Sequence, residues 1–326
     1  MILGSSVAVT IVNHRQWRWL QSCLRSLLDN PYTGASFEIV VLDNASGDES
    51  VDAIPELYPD VRLLVRTRRR GFGANQNTAI RATTADYVFV LNPDTVVHTG
   101  TLDRLVAAMD SSADVALAGG PILNSDQTPW SEGPLPFPTP TQLLRQAVGL
   151  HRFAPVLPSR AGIYRDHWIS GSAFLLRRSV FDAVGGFDES FFLYGEETDL
   201  MRRIMDGSGA LAWVPDAPVT HVGRTAETGM MEVPSNAAAV ELVRGQIRYA
   251  AKHHGRIGGL VARMGLGIDA LIRWSMTLVG LGRFLEAKGT SVEATRAYHL
   301  GRLVAAMLPW RAKGLAEQAA DWNATG

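Results

Sequence analysis

Cysteine is all but missing: Cys23 is the single one in 326 residues. An intramolecular disulfide is therefore excluded, and the chain fits a reducing compartment. Net charge is nearly absent as well, at −1, so no global attraction to nucleic acid is expected. No stretch of about 18 uncharged apolar residues occurs, which argues against a membrane-spanning helix. The N-terminal MILGSSVAVTIVNHR lacks the basic region of a secretory signal and reads as a first strand. The formal glycosylation sequon at Asn323 is set aside for that reason. Internal repeats and low-complexity tracts are also missing.

What the chain does have is apolar substance, with 46% of residues hydrophobic and 19% charged. At this length that suits one large α/β domain with something appended. VAVTIV (Val7 to Val12), FEIVVLD (Phe37 to Asp43), VRLLV (Val61 to Val65) and DYVFVLN (Asp86 to Asn92) are apolar on both faces. Such runs suit strands of a parallel sheet covered by helices. WRWLQSCLRSLLDN, DESVDAIPELY and ANQNTAIRATT between them read as crossover helices. The βαβα order predicts a doubly wound, mainly parallel sheet, with ligands beyond the carboxyl ends of its strands. Six prolines from Pro121 to Pro140 break the pattern, and Leu123 to Asp166 is expected as loop with short helices. A helix is expected from about Glu197 to Asp206, a strand at ALAWVP, and mainly helix after Pro234. The expected domains are 1–234, with a donor half to about 122 and an acceptor half from about 123, and a helical region over 235–326.

Four stretches carry candidate chemistry, and each also has a plain structural reading. In VVLDNASGDES, Asp43 ends a strand where its carboxylate could meet a nucleobase N–H; turn and N-cap chemistry, with Ser46 or Asp48 capping, explains it equally. In RTRRRGFGANQNTAI, arginines precede a helix start, a natural diphosphate site or a solvated basic loop. Gln76 stands where a dinucleotide fingerprint needs its third glycine, which excludes a Rossmann dehydrogenase. In YVFVLNPDTVV, Asp94 could hold Mg²⁺ or Mn²⁺ beside a diphosphate, or close a type I turn. FFLYGEETDL sets Glu196, Glu197 and Asp199 at a helix start, where they could cap it, bind metal or act as a base. His221 in PDAPVTHVG, about 20 residues further on, ends an expected strand, and its plain reading is a satisfied surface or core histidine.

The order of IVNHR, VVLDNASGD, RGFGANQN, VLNPDT, SGSAFLLRRSVFDAVGGFDESFFLYGEETDLMRRI and VPDAPVTHVG resembles that of the inverting family 2 glycosyltransferases. The resemblance is nearest to the rhamnosyltransferase-like branch and spans Val7 to Gly223. It implies a GT-A fold, a nucleotide-sugar donor and a divalent metal, Mg²⁺ or Mn²⁺. Carried onto this chain, Val12 and Asp43 would contact the base. Arg70, Gly71 and Asn75 would lie near the donor, with Asn92 and Asp94 at its diphosphate. Asp94 would bind the metal, His221 would lie by metal or diphosphate, and Glu197 would be the catalytic base. Trp168, Gly171, Ser172 and Glu196 would face the acceptor, and Asp199 would support the helix start. The chain departs from the family pattern at His14 and Arg15, at Glu197 where Asp is usual, and at Asn92 where many relatives carry an acid.

The resemblance further implies transfer of a sugar, L-rhamnose from dTDP-rhamnose as the first choice, to a glycan or a polyprenyl-diphosphate-linked saccharide of the cell envelope. A sugar-phosphate nucleotidyltransferase would carry a glycine-rich, lysine-containing loop after the first strand, and NHRQWRWLQ offers none. A non-catalytic sugar-binding protein of the same fold is the other alternative. From Glu241 onward the chain carries 12 Lys/Arg and 6 Asp/Glu. GGLVARMGLGIDALIRWSMTLVGLGRFL in that region, interrupted by Arg263, Asp269, Arg273 and Arg283, reads first as a packed bundle. The second reading is an interfacial helix on anionic lipid. Location is expected to be cytoplasmic, with peripheral membrane contact and homo-oligomerisation as options.

Overall fold

Every position of β1 (Ser6–Asn13) from Val7 onward is buried, as expected of a strand with helices over both faces. A computed structural model of the protein describes residues 4–131, 133–147, 160–222, 236–279, 291–309 and 312–325. After β1 come α1 (Trp17–Asp29), β2 (Ser36–Asn44), α2 (Ser50–Leu57), β3 (Val61–Arg66), α3 (Phe72–Arg81) and β4 (Tyr87–Leu91). These fall within a few residues of the expected strands and crossover helices. Next are β5 (Thr95–Val97), α4 (Thr101–Asp110), β6 (Val115–Gly119), β7 (Ile122–Leu123), β8 (Pro129–Ser131), β9 (Leu135–Pro136) and α5 (Pro140–Ala147). β10 (Gly162–Tyr164), β11 (His167–Trp168), β12 (Ala173–Arg177), α6 (Arg178–Ala183), α7 (Glu196–Asp206), β13 (Ala210–Trp213) and β14 (Val219–His221) follow. The last elements are α8 (Asn236–Leu278), α9 (Val292–Met307) and α10 (Leu315–Thr325).

Eight strands form the main sheet in the order β10-β13-β6-β12-β4-β1-β2-β3. β3, β2, β1 and β4 are parallel neighbours, and β13 is parallel to β6. β12 runs antiparallel between β4 and β6, and β10 antiparallel along β13. Strand periodicity sends alternate residues to opposite faces. Ile39 and Val41 join the core with Leu20 and Leu24 of α1, Ile54 of α2 and Leu102 of α4. Val40 and Leu42 pack with Ala79 of α3 on the other side. The sheet is thus covered on both faces and mainly parallel, as expected.

The segment expected as loop with short helices contains the short helix α5 and, beyond the expectation, several short strands. It supplies β7 and β8 to a second sheet, β5-β14-β7-β8, and β9 pairs with β11. Strands of two or three residues show no readable period, and Pro129 is tolerated because β8 is an edge strand.

The chain divides into two compact units. One comprises residues 1–137, 158–188 and 197–223, the other 138–157, 189–196 and 224–326. The helical unit therefore claims segments that chain order assigns elsewhere, and the expected 234/235 boundary lies outside the described residues. Within this unit α5, α8 and α9 share a core of Leu143, Val240, Val243, Leu266 and Ala305. α8 breaks at Gly255, whose φ is 70° and ψ −178°. Gly245 lets the loop before α7 come close: a Cβ there would meet Tyr194 O at 2.0 Å. The Arg248 guanidinium stands 5.6 Å from the Phe191 ring. Arg283 is outside the described residues.

Buried Asp269 bonds Arg273 at 2.7 Å and Arg302 at 2.9 Å. Beside them His299 is 6% exposed. Burial, and then the Arg302 and Arg273 charges, lower its pKa from 6.5 to about 4. The unfolded chain binds a proton near pH 6.5 that the folded unit refuses until about pH 4, so stability falls as pH drops through that window. Thermal unfolding at neutral and mildly acid pH should show a smaller acid-induced loss in His299→Gln than in the wild type.

Candidate active site

Two strands bring Asp94 and His221 together. β5 and β14 pair antiparallel with His221 opposite Thr95, and Val222 N donates to Asp94 O at 2.9 Å. That register places His221 Nε2 2.9 Å from Asp94 Oδ1. His221 is buried, and its Nδ1 has no hydrogen-bond partner. The preceding turn is fixed by Thr95 Oγ1 donating to Asn92 O at 2.6 Å. Cys23 lies beneath it, with Sγ 3.7 Å from Asn92 O. Burial pushes the Cys23 pKa up to about 12, so this thiol is no nucleophile at neutral pH.

The same turn is tied to β12. Antiparallel pairing sets Ala173 opposite Leu91, and Asn92 N donates to Ser172 O at 2.9 Å. Gly171 comes next, and a Cβ there would lie 2.9 Å from Glu197 Cγ. Asp94, His221, Asn92, Ser172, Gly171 and Glu197 thus form one continuous line of contacts. Because β12 is antiparallel to β4, its start sits at the sheet edge where the parallel strands end.

The acids of α7 have separate surroundings. Glu197 is partly exposed. Glu196, expected on the acceptor side, is 3% exposed. Asp199 is fully buried and bonds Arg203 Nε at 2.8 Å. Arg203 in turn donates to Val184 O and Gly186 O, both at 2.8 Å. Asp199 therefore supports α7 through an ion pair tied to the glycine turn. Trp168 donates its indole N–H to Pro136 O at 3.2 Å, which fixes it on the β9–β11 pair.

On the donor side, Asp43 is 1% exposed. It accepts hydrogen bonds from Ser46 N at 3.0 Å, Asn13 Nδ2 at 3.2 Å and Ser50 Oγ at 3.4 Å. The expected base contact thus meets a carboxylate already held by internal donors. Nor does Ser46 cap α2; its hydroxyl takes Arg15 N at 3.0 Å. Val12 is buried at the end of β1, opposite Leu42. Asn44 bonds both backbone groups of Arg70, accepting from N and donating to O at 2.9 Å each. Asn75 also donates to Arg70 O, at 3.1 Å, so Arg70, Gly71 and Asn75 form one fixed loop at the start of α3. His14 Nδ1 lies 3.0 Å from Asn44 O. Burial, followed by the Arg69 charge, lowers the His14 pKa. Arg69 itself is lowered by burial and then by Arg15, so this end of the sheet gathers positive charge.

Asn44, Asn77 and Arg203 are framework residues that motif reading missed. Asn77 donates to Phe187 O at 3.0 Å and accepts from Phe187 N at 2.8 Å, joining GFGANQN to the VGGF turn. A buried asparagine inside a helix was the available signal, since such a group needs partners.

Among the described residues no group of three or more His, Cys, Asp or Glu forms a metal site. Asp94 and His221 are adjacent, however, and Nδ1 can carry the imidazole proton when Nε2 is a ligand. One carboxylate and one imidazole fit a cation that completes its shell with phosphate oxygens and water.

Substituting Gly171 should disturb Glu197 first, because the three atoms nearest an added Cβ are Cγ, Cβ and Cδ of Glu197, at 2.9, 3.1 and 3.3 Å. Gly171→Ala is expected to lower kcat by about tenfold or more with little change in Tm. Turnover assays beside thermal unfolding check this.

Comparison with known proteins adds four facts. The family model described as Glycosyl transferase family 2 matches residues 6–185. The N-acetylglucosaminyl-diphospho-decaprenol L-rhamnosyltransferase of Mycobacterium tuberculosis is 31% identical over 209 residues, 56% of this chain and 66% of that protein, just under two thirds of its length. The rhamnosyltransferase WbbL of Escherichia coli is 26% identical over 162 residues, 46% of this chain and 60% of its own. Among solved structures, a Pyrobaculum calidifontis mannosyltransferase in complex with GDP-Man and Mn²⁺ superposes with a TM-score of 0.57. It is 16% identical, over 94% of this chain and 88% of that one.

Proposed function

Since the chain belongs to glycosyl transferase family 2 and has the GT-A fold, we propose that it is an inverting glycosyltransferase with Glu197 as its general base. The observation that carries this is the line of contacts from the Asp94–His221 pair through Asn92 and Ser172 to Gly171 and Glu197. It sets a partly exposed carboxylate close to the turn assigned to the donor diphosphate, and separates it from the buried acids beside it.

Glu197 takes the proton of an acceptor hydroxyl as the oxygen attacks the anomeric carbon. The bond from that carbon to the nucleotide diphosphate breaks, and its electron pair leaves with the diphosphate. Attack from the opposite face inverts the configuration, through an oxocarbenium-like transition state. The amides at the start of α3, with Gly71 at its N-cap, and the preceding arginines would receive the diphosphate. Asp94 and His221 would hold a divalent Mg²⁺ or Mn²⁺, whose chemistry is to stabilise charge on the departing diphosphate. Asn44 and Asn75 keep the Arg70–Gly71 loop in place. Asp43 shapes the nucleotide end by fixing Asn13 and Ser46.

The two rhamnosyltransferases among the relatives support L-rhamnose from dTDP-L-rhamnose as the transferred sugar, with UDP-sugars next. The name of the mycobacterial relative supports a glycan or polyprenyl-diphosphate-linked saccharide as acceptor, in cell-envelope polysaccharide synthesis.

A nucleotide-sugar panel, read by thermal shift with Mn²⁺ and then by turnover, tests the reading. Glu197→Gln should bind donor normally and lose about 10²–10⁴-fold in turnover; near-normal turnover would remove Glu197 from the role. Asp94→Ala should weaken donor binding in the presence of Mn²⁺ and abolish its metal dependence. Equal donor affinity in wild type and variant, with and without metal, would overturn the metal assignment.

A further inference from the structure

The second half of α8 has two apolar faces and covers one of them. Ala262 and Leu266 lie in the helical core. On the other face Ile257, Leu260, Met264, Ile268, Leu271 and Leu278 are exposed by 38% to 78%. Their spacing of three, four and seven keeps them on one side of the helix, in a row about 30 Å long. Met307, itself 55% exposed, borders the row where a Cβ on Gly267 would meet its sulfur at 2.7 Å. An exposed apolar row of this length on a soluble surface marks an interaction site.

The border of the row indicates the partner. Arg256, Arg263 and Trp274 follow one another at spacings of seven and eleven, which places them on a single line roughly a quarter-turn from the row. Arg263 is part-buried and donates to Ala306 O of α9 at 3.0 Å, whereas Arg256 is exposed. An exposed arginine beside an apolar face, with a tryptophan on the same line, is a side-chain set of a membrane interface. The segment from Glu241 onward carries 12 Lys/Arg against 6 Asp/Glu, a surplus that anionic headgroups would complement. No helix among the described residues is long and apolar enough to cross a bilayer, so the row would lie in the headgroup boundary rather than span it. A second copy packed through this same face would set like charge against like charge.

We propose that this face of α8, with Arg256 and Trp274 along its border, docks the protein onto an anionic lipid surface. The inference does not depend on which sugar is transferred, and its test uses none. The full chain is floated with vesicles of phosphatidylglycerol and phosphatidylcholine, and with vesicles of phosphatidylcholine alone. It should rise with the anionic vesicles, far less with the neutral ones, and less again as salt is raised. Ile268→Glu with Leu271→Glu should lose about a hundredfold in vesicle affinity. Arg256→Gln should lose about fivefold on anionic vesicles only. Circular dichroism confirms that each variant is folded, and sedimentation velocity without lipid reports self-association. The proposal fails if the wild type does not float, or if the folded glutamate variant floats as well as the wild type. It also fails if the wild type self-associates through this face and binds no vesicles. The wild-type flotation decides the matter even if one variant does not fold.

Discussion

The antiparallel pairing of β5 with β14 sets His221 opposite Thr95 and thereby sets His221 Nε2 beside Asp94. Strand side chains alternate from face to face, so a slip of one residue would turn the imidazole away. The ladder is only three residues long. It is backed by Val222 N on Asp94 O and by the hydroxyl of Thr95 on Asn92 O. Those contacts fix the turn to which β12 is attached, and through Gly171 they fix what stands next to Glu197. The candidate site is thus organised by backbone pairing before any side chain is considered.

A second layer of order comes from buried asparagines. Asn13, Asn44 and Asn77 each join a strand end or helix to a neighbouring loop. A buried amide must find partners or lose stability, and these amides find theirs at the end of β2, in the loop before α3 and at the VGGF turn. The loops around the sheet's carboxyl edge are therefore held by directional bonds, while the apolar core beneath them holds by packing.

The parallel half of the sheet was legible because strands buried on both faces leave unbroken apolar runs, and β1 to β4 do so. The insertion of β12 between β4 and β6 was not, since local pattern carries no information on which strand a later segment joins. β7, β8, β9 and β11 are too short to show a period, and prolines pointed to loop instead. The residues of the site were legible mostly through motif order, because nothing in PDAPVTHVG by itself points to Asp94. Burial was the least readable property: Asp43 and Glu196 stand in exposed-looking polar stretches, yet the fold encloses both.

The close approach between Gly245 of α8 and the Tyr194 carbonyl bears on how this protein can be recombined. Residues 189–196 group with the helices that follow far downstream, although Glu197 comes directly after them in the chain. A chimera joined near Pro234 would pair the loop with a foreign helix, and any side chain at the Gly245 position would collide with it. The exchangeable piece is therefore not the N-terminal sheet region alone. It is that region together with the glycine-bearing helix, because a graft that respects chain order would separate residues 189–196 from the helix they group with.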